Sequence, residues 1–84
     1  MKISLKLFAS LTVYLPADVR SRLRMELDVE EGATVLEVIQ RQGIPPGQCA
    51  MVLVDGVWIA AADRSTRVLV EGEVLAIWPP VAGG

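Results

Sequence analysis

The sequence contains no histidine, and its single cysteine is Cys49. Without histidine the chain lacks the usual general base and the commonest metal ligand at neutral pH. A lone thiol cannot form an internal disulfide, and no Cys/His cluster exists that could hold a structural zinc ion. We therefore expect no bound metal and a reducing, cytoplasmic setting.

The chain also lacks an excess of positive charge and a long apolar run. Eight Lys and Arg residues are scattered among ten acids, for a net charge of -2, so we expect no nucleic-acid partner. No segment approaches the ~20 apolar residues that cross a membrane. The first 17 residues faintly resemble a secretion signal, but Ile3, Leu5 and Leu7 alternate with Ser4 and Lys6, which is typical of a strand.

What the sequence does contain is the material for one small folded domain, since 52% of its 84 residues are hydrophobic. Residues 2–8 and 23–29 alternate as half-buried strands that we expect to pair antiparallel. Residues 50–54 show little alternation and predict a strand covered on both faces. Residues 57–60 and 74–78 predict a short strand and a last strand.

One short helix interrupts these strands. Thr34 and Glu37 form a capping box at its start, Gly43 is placed to end it, and the two prolines that follow prevent its resumption. Its apolar stripe contains Val35, Leu36, Val38 and Ile39. A helix of this kind buries its stripe on one sheet face after a right-handed crossover. The sequence therefore predicts an α+β fold of the β-grasp type, with the first and last strands parallel in the centre.

The closing segment "WPPVAGG" is unlike the rest of the chain. Pro79 cannot donate to a sheet and ends the last strand, and Pro80 favours an extended course away from it. We therefore divide the chain into a domain of residues 1–78 and an extended tail of residues 79–84, which spans roughly 20 Å when extended. Gly83 and Gly84 have no Cβ, so a narrow channel in a partner could close around them and reach the terminal carboxylate.

Four stretches together resemble the MoaD/ThiS family of ubiquitin-like sulfur carriers: "LKLFASL", "EEGATVLEVIQRQGIP", "VLVDGVWI" and "VEGEVLAIWPPVAGG". The resemblance covers nearly the whole chain and is weakest over residues 12–22. "PPVAGG" is its most specific element and is most similar to the MoaD branch, the small subunit of molybdopterin synthase.

This resemblance implies a function for the tail. Gly84 would be the residue that is adenylated and thiocarboxylated, and Gly83 would provide clearance beside it. The partners implied are an E1-like adenylating enzyme that uses ATP, a large synthase subunit of the MoaE type or a thiazole synthase, and a sulfurtransferase or cysteine desulfurase as sulfur source. The carrier itself would bind no cofactor and would be a co-substrate rather than an enzyme.

Alternatives stay open at this point. The same chemistry could serve thiamine thiazole or another sulfur-containing product, Gly84 could be joined to lysines as in a protein modifier, or the chain could be a plain interaction module. Partner contacts are expected from the tail and its root, which comprise Trp78, Pro79, Pro80, Val81, Ala82 and Phe8.

A few other residues invite interpretation. Trp58 and Trp78, together with Phe8, could form an exposed docking patch, although core packing explains them equally well. We interpret Cys49 as a small buried hydrophobe rather than a reactive thiol. Arg64 and Arg67 are interpreted as a solvated loop in preference to a contact for an acidic partner.

Overall fold

The computed structural model describes residues 1–81, and within them the chain forms five strands and one α-helix. In chain order these are β1 (Lys2–Leu7), β2 (Arg24–Asp28), α1 (Val35–Arg41), β3 (Met51–Val54), β4 (Val57–Trp58) and β5 (Val74–Trp78). The strands form one sheet in the order β2-β1-β5-β3-β4. β1 and β5 are parallel at its centre, and all other pairs are antiparallel. The predicted β-grasp fold is confirmed.

The sheet has one covered face and one face without a helix, because successive side chains point to opposite sides of a strand. On the covered face Leu5, Leu75 and Val52 are fully buried and form one apolar cluster with Val35 and Val38 of α1. We call the opposite side the open face. It receives the alternate residues of every strand, and its neighbours in register include Lys6 with Arg24, Lys6 with Ala76, and Leu53 with Trp58.

The N-terminus of α1 is held by its own side chains and by the loop that precedes β5. The Thr34 hydroxyl accepts from the Glu37 N–H at 3.2 Å, and the Glu37 carboxylate accepts from the Thr34 N–H at 3.3 Å, which confirms the capping box. The N–H groups of Val35 and Leu36 donate to the carbonyls of Arg67 and Arg64. All the helix donors that would otherwise lack partners in this turn are thus satisfied.

Two 3₁₀ segments, Ala9–Tyr14 and Arg20–Arg22, occupy the connection between β1 and β2 that the sequence leaves vague. Leu11 and Leu15 from this connection are buried in the core. The Arg20 guanidinium donates to three backbone carbonyls, those of Thr12, Val13 and Leu15. A stretch without a regular apolar period therefore contributes two leucines to the core, while the exposed Arg20 holds its backbone in place.

Asp55 and Gly56 form the turn between β3 and β4, as the sequence predicts. Both have positive φ, 49° and 82°, which a type I′ turn requires. The Asp55 carboxylate also accepts from the Val74 N–H at 2.8 Å, and the Val74 carbonyl accepts from the Asp55 N–H. The turn therefore fastens the start of the central strand β5.

The expectation that β3 is covered on both faces is wrong. Met51 is 40% exposed and Leu53 is half-buried, whereas Val52 and Val54 are buried. Apolar residues at Met51 and Leu53 remove the alternation from the sequence without removing it from the structure. One row of the open face is therefore apolar.

No helix among residues 1–81 is long and apolar enough to span a bilayer.

Candidate functional site

The root of the tail lies where β5 leaves the sheet. The Trp78 carbonyl accepts from the Ala50 N–H at 2.9 Å, which is the last backbone hydrogen bond along β5 within residues 1–81. Pro79, which follows, has no N–H to continue the ladder. Pro79 is half-buried, Pro80 is exposed, and Val81 is 82% exposed. The chain thus passes from the centre of the sheet to an exposed course within three residues.

Ala82, Gly83 and Gly84, which the sequence assigns to partner contact, clearance and reaction, lie outside the described residues. Their roles stay predictions.

An aromatic pair stands at this root. The rings of Phe8 and Trp78 are parallel to within 4°, with centroids 4.1 Å apart. The backbone brings them together, because the Phe8 N–H donates to the Ile77 carbonyl at 3.2 Å and so extends the β1–β5 ladder by one residue. Ala9 then turns the chain away with φ of 52°. Both rings are half-buried, so the pair braces the tail root and also contributes to the surface.

The aromatic pair continues into an apolar row across the open face. Trp78 lies in register with Met51, and Leu53 lies in register with both Ala76 and Trp58. Trp58 is 62% exposed. We call Phe8, Trp78, Met51, Leu53 and Trp58 the apolar patch. Clustered exposed apolar side chains of this kind mark interaction surfaces in soluble proteins.

The other half of the open face is charged. The Lys2 ammonium pairs with the Asp28 carboxylate at 3.1 Å, and the Arg24 guanidinium donates to the Ser4 hydroxyl at 2.9 Å. Lys6 stands opposite Arg24 in the β1–β2 register. The open face is therefore divided into a charged half over β2 and β1 and an apolar half over β5, β3 and β4.

Arg67 is not a solvated loop residue, so the sequence interpretation is wrong for it. Its guanidinium donates to Glu73 at 2.6 Å, and the same carboxylate accepts from the Val70 N–H at 2.7 Å. The hydrogen bond from Arg67 lowers the pKa of Glu73, and the bond from Val70 acts in the same direction against the opposing effect of burial. This ion pair closes the loop that leads into β5.

Arg64 departs further from the predicted solvated loop, since it is only 8% exposed. One guanidinium nitrogen donates to the Cys49 carbonyl at 2.8 Å, while Nε has no partner within residues 1–81. Arg64 also offers its own carbonyl to Leu36. It thus joins the loop before β5 to α1 and to the segment that enters β3.

Cys49 is 4% exposed and belongs to the apolar core, with its Sγ 3.8 Å from the Pro45 carbonyl. Burial raises the pKa of the thiol, and the Arg64 charge opposes that rise. A protonated, enclosed thiol is a poor nucleophile. The geometry supports the structural interpretation of this residue.

Residues 1–81 contain no group of three Cys, Asp or Glu side chains arranged to hold a metal ion. Two shallow clefts indent the surface of this part of the chain. One, of about 410 Å³, lies between the 16–22 segment and β2, and the other, of about 460 Å³, lies beside Met1 and Val70. Neither is lined by the apolar patch or the tail root.

A β-grasp sheet whose central strand leads into exposed residues at Pro80 and Val81 defines a small ubiquitin-like protein. The chain belongs to the ThiS family, which matches residues 13–84. Its fold is that of the ThiS/MoaD sulfur carriers, which are small carrier proteins. No curated protein sequence matches the chain.

Solved structures agree on the fold. SAMP1 from Haloferax volcanii is 26% identical with a TM-score of 0.66, and the match covers all of both chains. A putative molybdopterin converting factor subunit 1 from Pyrococcus furiosus is 22% identical with a TM-score of 0.68, over 96% of this chain and 99% of that one. A complex of subunits 1 and 2 of the molybdopterin-converting factor from Helicobacter pylori matches at 17% identity and a TM-score of 0.60, over the full length of both chains.

The sequence had indicated Phe8 and Trp78 at the tail root, and the structure brings them into contact. It missed Met51 and Leu53 as members of the same surface. A signal for them was present in the sequence. Residues 51–54 are apolar on both faces of the predicted strand, but the single predicted helix can cover only one face of the sheet.

Proposed function

We propose that this protein is a sulfur carrier whose C-terminal Gly84 is activated by an E1-like enzyme and delivers sulfur for a molybdopterin-type cofactor. In the first step the Gly84 carboxylate attacks the α-phosphorus of ATP and releases pyrophosphate. A sulfur nucleophile then displaces AMP from the acyl adenylate and leaves a thiocarboxylate. The carrier supplies only the acyl group, and both steps belong to partner enzymes.

One observation carries the proposal. The last hydrogen bond of β5 is made by Trp78, at the centre of the sheet, and the next described residues lead outward with Val81 82% exposed. A short extended segment that starts from a rigid centre can enter another protein's active site while the domain stays outside. Membership of the ThiS family supports this use of the tail.

The test is a measurement of intact mass. After incubation with an E1-like adenylating enzyme, ATP and a sulfur donor, we expect a gain of about 16 Da as sulfur replaces one oxygen at Gly84. A variant with one serine added after Gly84 has the same domain but an acyl group displaced by one residue, and it should show no gain. An unchanged mass for the natural chain would refute the proposal.

The recipient of the sulfur is the finer part of the proposal. The neighbours named as molybdopterin converting factor subunits support the molybdopterin route, and one of them forms a complex with a second subunit. We infer that a large synthase subunit binds the apolar patch and receives the tail. Affinity purification with the chain as bait should retrieve such a subunit, whereas retrieval of a thiazole synthase would assign the carrier to thiamine instead.

A second function, protein modification, is favoured by one comparison. SAMP1, which is also described as small archaeal modifier protein 1, matches 95–100% of the chain at 25–26% identity. In this case Gly84 would form an isopeptide bond to lysines of other proteins. Conjugates that survive boiling and thiol reductant in cells would support this role, and a thiocarboxylated but never conjugated pool would exclude it.

A further inference from the structure

The outer edge of β2 carries backbone groups that have no partner. The hydrogen-bonded pairs of β1 and β2 include Leu7 with Leu23 and Met1 with Val29, so the odd-numbered residues of β2 bond towards β1. In an antiparallel ladder the intervening residues point their N–H and C=O groups the other way. Those of Arg24, Glu26 and Asp28 therefore face outward, and they meet no backbone partner within residues 1–81.

Two copies of β2 have complementary side chains when they run antiparallel to each other. β2 reads Arg-Met-Glu-Leu-Asp, with a positive charge at one end and a negative charge at the other. Met25 and Leu27, on the covered face, are only half-buried at the margin of the sheet. The row of unpaired N–H and C=O groups makes this edge a template for strand pairing, and its charge order favours an antiparallel partner of the same sequence.

We propose that a second copy of this chain pairs with this edge, β2 against β2 in antiparallel order, about a twofold axis at Glu26. Arg24 of each copy then stands opposite Asp28 of the other, and Met25 stands opposite Leu27. The outward groups of Arg24, Glu26 and Asp28 make six backbone hydrogen bonds across the axis. A closed twofold contact of this kind uses the same surface on both copies and stops at the dimer.

The surroundings of the edge permit this pairing. The cleft of about 410 Å³ between β2 and the 16–22 segment runs along Arg24, Met25 and Glu26 and leaves space beside this half of the strand. Two sheets joined edge to edge by a twofold axis perpendicular to the sheet keep their open faces on the same side. The apolar patch and the tail root lie on the extension of β1 and on β5, β3 and β4, away from the outer edge of β2, so the dimer leaves both accessible.

One feature opposes the dimer and makes it weak. Glu26 faces Glu26 across the axis, and like charges directly opposite one another are destabilising. Glu26→Thr removes that repulsion and adds a residue that favours strands. We expect this variant to dimerise several-fold more tightly than the natural chain in sedimentation equilibrium.

A charge exchange tests the register. Arg24→Asp and Asp28→Arg each place like charges opposite one another at two positions, and each should weaken dimerisation roughly tenfold. The double variant restores both opposite-charge pairs and should recover the affinity of the natural chain. Sedimentation equilibrium up to millimolar concentration measures all four proteins, with circular dichroism to verify folding. A natural chain that stays monomeric throughout, or a double variant no better than the singles, would overturn the proposal.

A cross-link gives an independent readout. In the proposed register the two Glu26 Cα atoms are about 5.5 Å apart, within the range that a disulfide spans. Glu26→Cys in a Cys49→Ala background should therefore oxidise to a covalent dimer, while Lys2→Cys in the same background should not. Equal cross-linking of the two variants would contradict the register. None of these measurements depends on Gly84, so their outcome is separate from that of the sulfur-carrier proposal.

Discussion

The two ends of β5 are built in opposite ways. At its start, the Val74 N–H is held by the Asp55 carboxylate, and the preceding Glu73 is fixed by Arg67 and by the Val70 N–H. At its exit, Trp78 stands opposite Met51 in the sheet, accepts from the Ala50 N–H and stacks on the Phe8 ring, and the chain then turns outward. Charged, directional contacts secure the end that must stay in the sheet, while an apolar contact secures the end from which a tail departs.

Under the proposed function, this difference means that stability and delivery of the tail depend on opposite ends of a single strand. The centre of β5 belongs to the core, where Leu75 and Ile77 are fully buried. Changes within β5 and at its start should therefore alter the free energy of unfolding, and changes beyond Trp78 should not. Four substitutions test this gradient, in decreasing order of expected effect on stability.

The largest effect is expected from Ile77→Asp. This substitution places a carboxylate in the apolar core without a partner and should lower the free energy of unfolding by at least about 4 kcal/mol, much of a small domain's stability. Urea denaturation monitored by circular dichroism measures the change. Val81→Asp adds the same charge at an exposed position and should remain within about 0.5 kcal/mol of the natural chain. Equal changes in the free energy of unfolding at the two positions would show that residues beyond Trp78 matter as much for stability as those within β5.

Next in size is Glu73→Ala, at the start of β5. It leaves the Arg67 guanidinium and the Val70 N–H without their acceptor and should cost about 2 kcal/mol. Glu30→Ala is the matched control, because the exposed Glu30 side chain makes no hydrogen bond within residues 1–81. A cost no greater than that of the control would mean that the ion pair does not secure this end.

The same contact predicts a pH dependence. Because the pKa of Glu73 is lower in the folded protein than the ordinary value of 4.5, its contribution is fully present above that value. It is lost as the pH falls through the lowered pKa, where the folded protein also takes up the proton. Denaturation at pH 7 and at pH 3 should therefore show a smaller difference between the natural chain and Glu73→Gln at the lower pH. A difference that grew at low pH would contradict the sign of the shift.

A smaller effect is expected at the exit. Phe8→Leu keeps an apolar side chain but removes the stacked ring, and it should cost about 1 kcal/mol. A double-mutant cycle with Trp78→Leu isolates the interaction of the two rings. If the coupling energy were near zero, the rings would be neighbours without stabilising each other.

The smallest effect on stability is expected from Pro80→Ala, which should change the free energy of unfolding by less than about 0.5 kcal/mol. Pro80 is exposed and lies beyond the last sheet hydrogen bond. Under the proposed function it should nevertheless slow thiocarboxylation, because the alanine loosens the extended course of the tail. An undiminished rate, measured by intact mass over time, would show that tail stiffness does not matter for loading.

Much of the fold follows from local sequence patterns. Alternation along β1 assigns Ile3, Leu5 and Leu7 to the core, and the Thr34–Glu37 box assigns the helix start, because both signals depend on neighbours close in the chain. Asp55 and Gly56 fix a turn for the same reason.

The rest depends on tertiary contacts. Arg64 is buried because Cys49, fifteen residues away, offers a carbonyl to it, and no local pattern records that bond. The 3₁₀ segments between β1 and β2 have no regular apolar period in the sequence. Their contribution to the core is visible only in the structure, where Leu11 and Leu15 are buried. For the candidate site, the sequence indicated the tail and its aromatic root, while the contact between the two rings and the breadth of the apolar patch required the structure.

The positions of the two tryptophans give the protein a pair of built-in optical probes. Trp78 is shielded by a stacked ring at the tail root, whereas Trp58 is 62% exposed on a short edge strand at the other limit of the apolar patch. Their emission should differ in wavelength and in sensitivity to iodide quenching. Replacing either one with phenylalanine leaves a single fluorophore, so that events at the exit and events at the far side of the patch can be followed separately, without an attached dye.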